Sequence, residues 1–339
     1  MLFSRQMHTL LKSRVPILRA LAGLQESTFN PVLKEIIEAI RIDLEAGKEL
    51  SSALQRHQKV FGDYYISLVR VGEATGLLDE VFLRLFEFLE FEKDMRQRVK
   101  AALRYPVFVI CAMAAAVVLI NVLVIPVFAK IFEAFKAELP LPTRMLLGFS
   151  DFMVSYWFVL IALAFGAVVL FRSWIATTAG RLVWDRYKLR IPIAGKIILK
   201  ATLARFARSF ALAMRAGVPI VNGLNVVANV VDNAFIAGRI VQMRDGVERG
   251  ESVSRTSAAT GVFTPVVLQM VAVGDETGEL DDMMFEVAEL YEREVDYELK
   301  SLASQIEPIL IVFLGVLVLI LALAVFLPIW DLGKVALKR

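Results

Sequence analysis

Residues that usually carry chemistry are scarce in this chain. Of its 339 residues one is a cysteine, Cys111, so no intrachain disulfide can form. Two are histidines, His8 and His57, too few and too far apart in sequence for a His/Cys metal cluster. Neither sits beside a motif, and each reads as an ordinary structural or surface side chain. There is no GxxxxGK[ST] phosphate loop: Gly47–Lys48 and Gly250–Glu251 do not approximate one, so any ATP that powers the system is hydrolysed by another protein. The formal net charge is only +3, which gives no indication of nucleic acid binding. Alternation of strand type is also scarce, and the N-terminal MLFSRQMHTLLKSRVP lacks an apolar core long enough for a signal peptide.

Apolar residues, by contrast, are abundant. They make up 57% of the chain, and the mean hydropathy is +0.62, the composition of a membrane protein with sizeable polar parts. Three runs contain no Asp, Glu, Lys, Arg or His: Val107–Ile125 between Pro106 and Pro126, Phe152–Phe171 between Asp151 and Arg172, and Ile309–Leu327 between Pro308 and Pro328. Each run of about 20 residues makes roughly 29 Å of helix, which matches a bilayer core of about 30 Å. The four prolines read as span boundaries, with kinks that transmit motion as the alternative. Spans free of ionisable groups argue against a small-solute transporter, the distant alternative function; Asn121 reads as a hydrogen-bonding partner for a neighbouring helix.

Basic residues orient the spans. Lys93, Arg96, Arg98, Lys100 and Arg104 precede the first, and Arg172, Arg181, Arg186, Lys188 and Arg190 follow the second. The segment between them balances Lys130, Lys136 and Arg144 against Glu133, Glu138 and Asp151. By the positive-inside rule the polar regions before the first span and after the second are cytoplasmic. Lys334, Lys338 and Arg339 in the tail argue weakly the other way.

The chain repeats itself. VGEATGLLD at 71–79 returns as VGDETGELD at 273–281, an offset of 202 residues. The same offset carries Pro106 onto Pro308, Pro126 onto Pro328 and Phe61 onto Phe263. VPILRAL at 15–21 resembles VPIVNGL at 218–224, and AGKELS at 46–51 resembles RGESVS at 249–254, both at offset 203. After each copy of the phrase comes a helical stripe: Phe82, Leu85, Phe86 and Leu89, then Met284, Val287, Ala288 and Tyr291. Pro16, Pro31 and Pro219 stand where helices would start, and Gly23, Gly47, Gly76, Gly217, Gly250 and Gly278 where they would stop. The expected fold is an all-α membrane protein with two homologous cytoplasmic helical bundles and three transmembrane helices. The middle span, unmatched in the repeat, returns the chain to the cytoplasm.

The repeated phrase has several readings. As a joint between helices, Gly76 and Gly278 take left-handed dihedrals, and Asp79–Glu80 and Asp281–Asp282 start the next helix where negative charge is favourable. As a docking point, Glu73 with Asp79–Glu80, or Asp275–Glu276 with Asp281–Asp282, meets a basic partner surface. As a cation site the carboxylates hold calcium or magnesium, although the spacing is not that of an EF-hand. A catalytic carboxylate pair has no nucleophile or phosphate cradle nearby.

The segments FSRQMHTLLKSRVPILRAL, KVFGDYYISLVRVGEATGLLDE, RVKAALRYPVFV, ELPLPTRMLL and EPILIVFLGVLVLILALAVFLPIWDLGKV resemble the F-type inner-membrane platform proteins of bacterial type II secretion and type IV pilus machines. The ending LPIWDLG is most similar to the platform of the mannose-sensitive haemagglutinin type of pilus. The resemblance covers essentially the whole chain. It implies a platform with no enzymatic activity and no cofactor, built from six-helix domains and assembled as a homodimer or higher homo-oligomer. Its implied partners are a cytoplasmic hexameric assembly ATPase, pilins or pseudopilins, other inner-membrane assembly proteins and the lipid bilayer, with no nucleic acid. The family's elbow motif falls on Gly72, Glu73, Thr75, Gly76 and Leu78, and on Gly274, Asp275, Thr277, Gly278 and Leu280; its Tyr-Pro falls on Tyr105–Pro106. The implied organisation is bundle 1 at 1–106, a span at 107–128, a periplasmic loop at 129–151, a span at 152–171, bundle 2 at 172–307, a span at 308–329 and a periplasmic tail at 330–339. Two features depart from the family pattern. Members usually carry an extra segment ahead of the first domain, and Ser13–Pro16 stands where they favour Ala-Gly-Val-Pro, as at Ala216–Pro219.

Overall fold

The computed structural model describes residues 1–119, 141–192 and 194–336, and their regular structure is entirely helical. In chain order the helices are α1 (Leu2–Lys12), α2 (Ile17–Ser27), α3 (Pro31–Glu45), α4 (Leu50–Gln55), α5 (Gln58–Thr75), α6 (Leu78–Leu119), α7 (Leu141–Ala176), α8 (Thr178–Lys188), α9 (Ala194–Arg215), α10 (Ile220–Val230), α11 (Ala234–Glu248), α12 (Val253–Thr260), α13 (Pro265–Thr277) and α14 (Leu280–Ala336). They fall into two compact units, Met1–Arg98 with Arg181–Glu298, and Val99–Gly180 with Leu299–Arg339.

The first unit contains the same helix series twice. α2, α3 and α4 start at 17, 31 and 50, and α10, α11 and α12 at 220, 234 and 253, each 203 residues later. α6 and α14 start at 78 and 280, 202 residues apart, so the one-residue change of register lies between α4 and α6.

The punctuation acts as chemistry requires. Pro16 and Pro219 precede α2 and α10, and Pro31 opens α3, where a missing N–H costs nothing. Gly47, Gly76, Gly217, Gly250 and Gly278 all have positive φ just beyond helix ends. Gly23 departs from the expectation. It lies inside α2, because Leu21 and Leu24 on either side are buried and a single internal glycine costs only about 1 kcal/mol. Gly62 breaks α5 with φ +75°, a kink the sequence did not announce; its counterpart Thr264 sits in the gap between α12 and α13.

The stripe of α14 is buried as expected at Met284, Val287, Ala288 and Tyr291. On α6 the buried stripe is Val81, Phe82, Leu85 and Phe88, so Phe86 and Leu89 are only half-buried. Arg5 lies over the half-buried Phe86 ring at 4.8 Å.

In the second unit the described exposed side chains are largely apolar, among them Phe108, Phe158, Phe165, Ile311 and Phe313. Among the described residues one helix, Leu78–Ala116, is long and apolar enough to cross a membrane. α6 runs through Pro106, and α14 runs through Pro308 and Pro328, so these prolines do not end helices. Residues 141–151 of the expected loop are helical in α7. Pro126, Asn121, residues 129–140 of the expected loop and the last three residues of the expected tail lie outside the described residues.

Candidate functional site

The two elbows share one construction. α5 ends at Thr75 and α13 at Thr277, and each threonine hydroxyl donates back to the carbonyl four residues earlier, Val71 at 2.8 Å and Val273 at 2.9 Å. Gly76 and Gly278 then reverse the chain at φ +75° and +79°. A side chain in that region would be strained by about 1–2 kcal/mol. One turn earlier, Gly72 and Gly274 are buried where the next helix crosses. A Cβ on Gly72 would stand 2.8 Å from Val81 Cγ2, and one on Gly274 would stand 2.9 Å from Leu280 Cα. Both glycines therefore set how closely the two arms of the elbow approach.

The acidic residue after each glycine turns back into its own helix series. The Glu73 carboxylate accepts from Leu50 N–H and from Ser51 N–H at 2.8 Å, at the start of α4. The Asp275 carboxylate accepts from Ser254 N–H at 3.0 Å, at the start of α12. These are N-terminal caps supplied from a distance, satisfying amides that a helix leaves unpaired. Residues Glu73 and Asp275 are thus bound within the fold, rather than grouped with the other elbow carboxylates for an incoming partner.

The remaining acids differ between copies. Asp281 and Asp282 face Arg215, at 3.8 and 2.5 Å, and Arg215 also lies over the Phe285 ring at 4.3 Å. Among the described residues no side chain makes an ion pair with Asp79 or Glu80. Their elbow exposes Ala74, Thr75, Gly76 and Leu77, the last 44% exposed. Among the described residues no group of three or more His, Cys, Asp and Glu side chains could hold a metal ion.

Other partners of the elbows were invisible to motif reading. His8 Nδ1 lies 2.7 Å from the Asp79 carbonyl oxygen, across 71 residues of sequence. This histidine does therefore meet the motif. Asp43, buried and contacted by Lys48 and Arg56 at 2.8 Å each, sits beneath α4. The hydrogen bond from Lys48, reinforced by Arg56, holds the Asp43 carboxyl below the usual carboxylate range.

Contacts also join the two helix series. Helix α5 packs against α10, and the buried Tyr64 hydroxyl donates to the Ser209 carbonyl at 2.9 Å. Arg205 pairs with Glu92, and Arg98 pairs with Asp296 at 2.6 Å. A cleft of about 570 Å³ opens nearby, lined in part by Glu87, Phe91, Lys93, Arg208 and Glu292.

Two halves that repeat an elbow with paired glycines, an acidic cap supplied from a distance and a proline-led helix, at an offset that changes by one residue, mark a duplicated domain of defined type. The family model described as Type II secretion system (T2SS), protein F matches the chain twice, over residues 3–126 and 206–328. The chain belongs to this family. The type IV pilus assembly protein PilC of Thermus thermophilus is 38% identical over 332 residues, covering 98% of this chain and 82% of that protein. PilC of Pseudomonas aeruginosa is 32% identical over 338 residues, 98% of this chain and 90% of its own. The type II secretion system protein F of the same organism is 32% identical over 333 residues, 98% of this chain and 82% of its own. Each family match contains one complete elbow. α8 falls between the two matches. It is tied to the second helix series by the buried Asp185, whose carboxylate accepts from Ala234 N–H at 2.8 Å.

Proposed function

We propose that the chain is an inner-membrane platform for assembly of a type IV pilus of the mannose-sensitive haemagglutinin kind. It couples a cytoplasmic hexameric assembly ATPase to the insertion of pilins into the growing filament. The observation that carries this reading is the doubled family match, together with 38% identity to a pilus assembly protein over 98% of the chain. The platform has two cytoplasmic helical bundles, residues 1–106 and 172–307, and three transmembrane helices. It works by transmitting force and needs no catalytic group or cofactor of its own.

The elbow geometry supports a division of labour. The glycine contacts and distant caps make each elbow stiff, and a long helix leaves each one without interruption, α6 to Leu119 and α14 to Ala336. A displacement applied at an elbow therefore travels along a helix rather than dissipating in a loop. The first elbow is the better docking point for the ATPase. Among the described residues its Asp79 and Glu80, beside exposed Leu77, have no ion-pair partner, whereas Asp281 and Asp282 are matched by Arg215.

A type II secretion platform is the second reading, favoured by the 32% identity to protein F of Pseudomonas aeruginosa. Deletion of the gene separates the two. Loss of surface pili with secretion intact supports the pilus reading, and loss of secreted enzymes with pili intact supports the other. ATPase coupling is tested by capture of the cognate assembly ATPase on the full-length protein in detergent. We expect Asp79→Lys with Glu80→Lys to weaken capture at least tenfold, while Asp282→Lys has a smaller effect. Capture unchanged by the first-elbow pair would overturn docking there.

A further inference from the structure

The contact between the two helix series is asymmetric, and the asymmetry leaves two surfaces open. In the first series, α5 carries Tyr64, Ser67, Leu68 and Val71 along one stripe at i, i+3, i+4 and i+7. Tyr64 is 4% exposed and donates to Ser209 of α9, and α5 packs on α10. The corresponding stripe on α13 of the second series is Val266, Gln269, Met270 and Val273 at the constant offset of 202. There Val266 is 59% and Val273 45% exposed. Among the described residues no helix packs on this stripe of α13 as α10 packs on α5.

The receiving surface is likewise doubled and filled only once. Ser209 on α9 corresponds to Gln6 on α1, and Val226 and Val230 on α10 correspond to Gly23 and Ser27 on α2, at offset 203. These first-series positions line an open groove of about 360 Å³, formed by Gln6, Thr9, Leu10, Gly23, Leu24 and Ser27. Gly23, the glycine that fails to end its helix, leaves open space where a side chain would stand. The chain thus holds one filled pair, α5 on the α9–α10 surface, and one unfilled pair, the α13 stripe and the α1–α2 groove.

We propose that the α13 stripe of one copy of this chain seats in the α1–α2 groove of a second copy, building a head-to-tail homo-oligomer. The internal contact is its template, because both surfaces occupy the positions in the repeat that correspond to the pair already meeting inside the chain. Charge supports the choice of occupant. Glu276 and Glu279 flank the open stripe, where the first series has Ala74 and Leu77. Lys12, Arg14 and Arg19 outnumber Glu26 around the groove, where the second series has Gly217 and Asn222 in place of Arg14 and Arg19. Among the described residues none of these acids or bases has an ion-pair partner. The two open surfaces therefore carry opposite charges, which favour their meeting between copies. A contact of this heterologous kind joins more than two chains and closes as a ring if the rotation allows.

The test uses full-length protein with the exposed Cys111 replaced by serine. Two differently tagged chains are co-expressed in membranes, one with Gly23→Cys and the other with Val266→Cys, and oxidised. The expected product is a disulfide between the two tags, and a ladder beyond dimer when both substitutions share one chain. A Val32→Cys and Val266→Cys pair, with Val32 on α3, should not cross-link. Cross-links between two Gly23→Cys chains or two Val266→Cys chains, or within one chain, would overturn the head-to-tail arrangement. In parallel, Val266→Asp with Val273→Asp should raise the dissociation constant of the detergent-solubilised oligomer about tenfold or more, with helicity unchanged. An unchanged mass distribution in that variant would equally overturn the proposal.

Discussion

Glu73 and Asp275 are homologous caps of unequal strength, and replacing each by alanine makes the difference measurable. Glu73 accepts two backbone N–H bonds at the start of α4, a helix of six residues whose own N-cap Glu49 makes no side-chain cap. Hydrogen bonds to charged groups contribute roughly 1.5–3 kcal/mol each. With the carboxylate half-buried and water able to reach the freed amides, the loss for Glu73→Ala is about 2–3 kcal/mol. Asp275 accepts one such bond at 3.0 Å, and α12 keeps a second cap in which Ser252 Oγ accepts from Arg255 N–H at 3.2 Å. Its loss is therefore about 1 kcal/mol. At about 1.4 kcal/mol per tenfold, protection of α4 amides from hydrogen exchange should fall about 30- to 150-fold in Glu73→Ala, against about fivefold for α12 amides in Asp275→Ala. Exchange mass spectrometry on the full-length protein in mild detergent reads both helices in one experiment. Glu73→Gln, which keeps an acceptor without the charge, should recover about half the effect. Unchanged α4 protection in Glu73→Ala would refute the cap, and equal losses in both copies would refute the ranking.

Two further outcomes follow from the geometry. Gly274→Ala should destabilise more than Gly72→Ala, by roughly 1–3 kcal/mol against less, read as the shift in thermal unfolding. The added Cβ meets Leu280 backbone at 2.9 Å in one case and a Val81 side-chain methyl at 2.8 Å in the other, and a side chain yields more readily than backbone. Asp43, held below its ordinary value of 3.8 first by the hydrogen bond from Lys48, contributes stability that is present above that value and lost as pH falls through the lower folded one. Acid unfolding of Asp43→Asn should lack that step, which the wild-type protein shows below about pH 4.

Much of the first unit was legible in the sequence because duplication acts as an internal control. A glycine or proline that recurs at one offset reports a backbone requirement twice, so Gly76 with Gly278 and Pro16 with Pro219 were located correctly. Where the copies diverge, local reading failed. Gly23 resembled a stop signal, yet its neighbours Leu21 and Leu24 hold the helix together; Gly62 lies in a stretch that reads as continuous helix. The role of Glu73 was hidden for a different reason. Its partners Leu50 and Ser51 lie over 20 residues upstream, and an acidic residue at a helix end looks the same whether it meets solvent, a partner protein or its own chain.

The sequence by itself determined the helical class, the duplication, the apolar runs and the positions of the elbows. All of these depend on periodicity and on local dihedral preference, which neighbouring residues set. Only the tertiary structure decided which carboxylates are committed to the fold, that His8 reaches the Asp79 carbonyl, and that Tyr64 on α5 is covered while Val266, its counterpart on α13, is exposed. Those outcomes depend on which helix packs against which. Two helices at equivalent places in the repeat differ there because their surroundings differ: α5 lies against α10 of the other series, and the Val266 stripe of α13 has no such neighbour among the described residues.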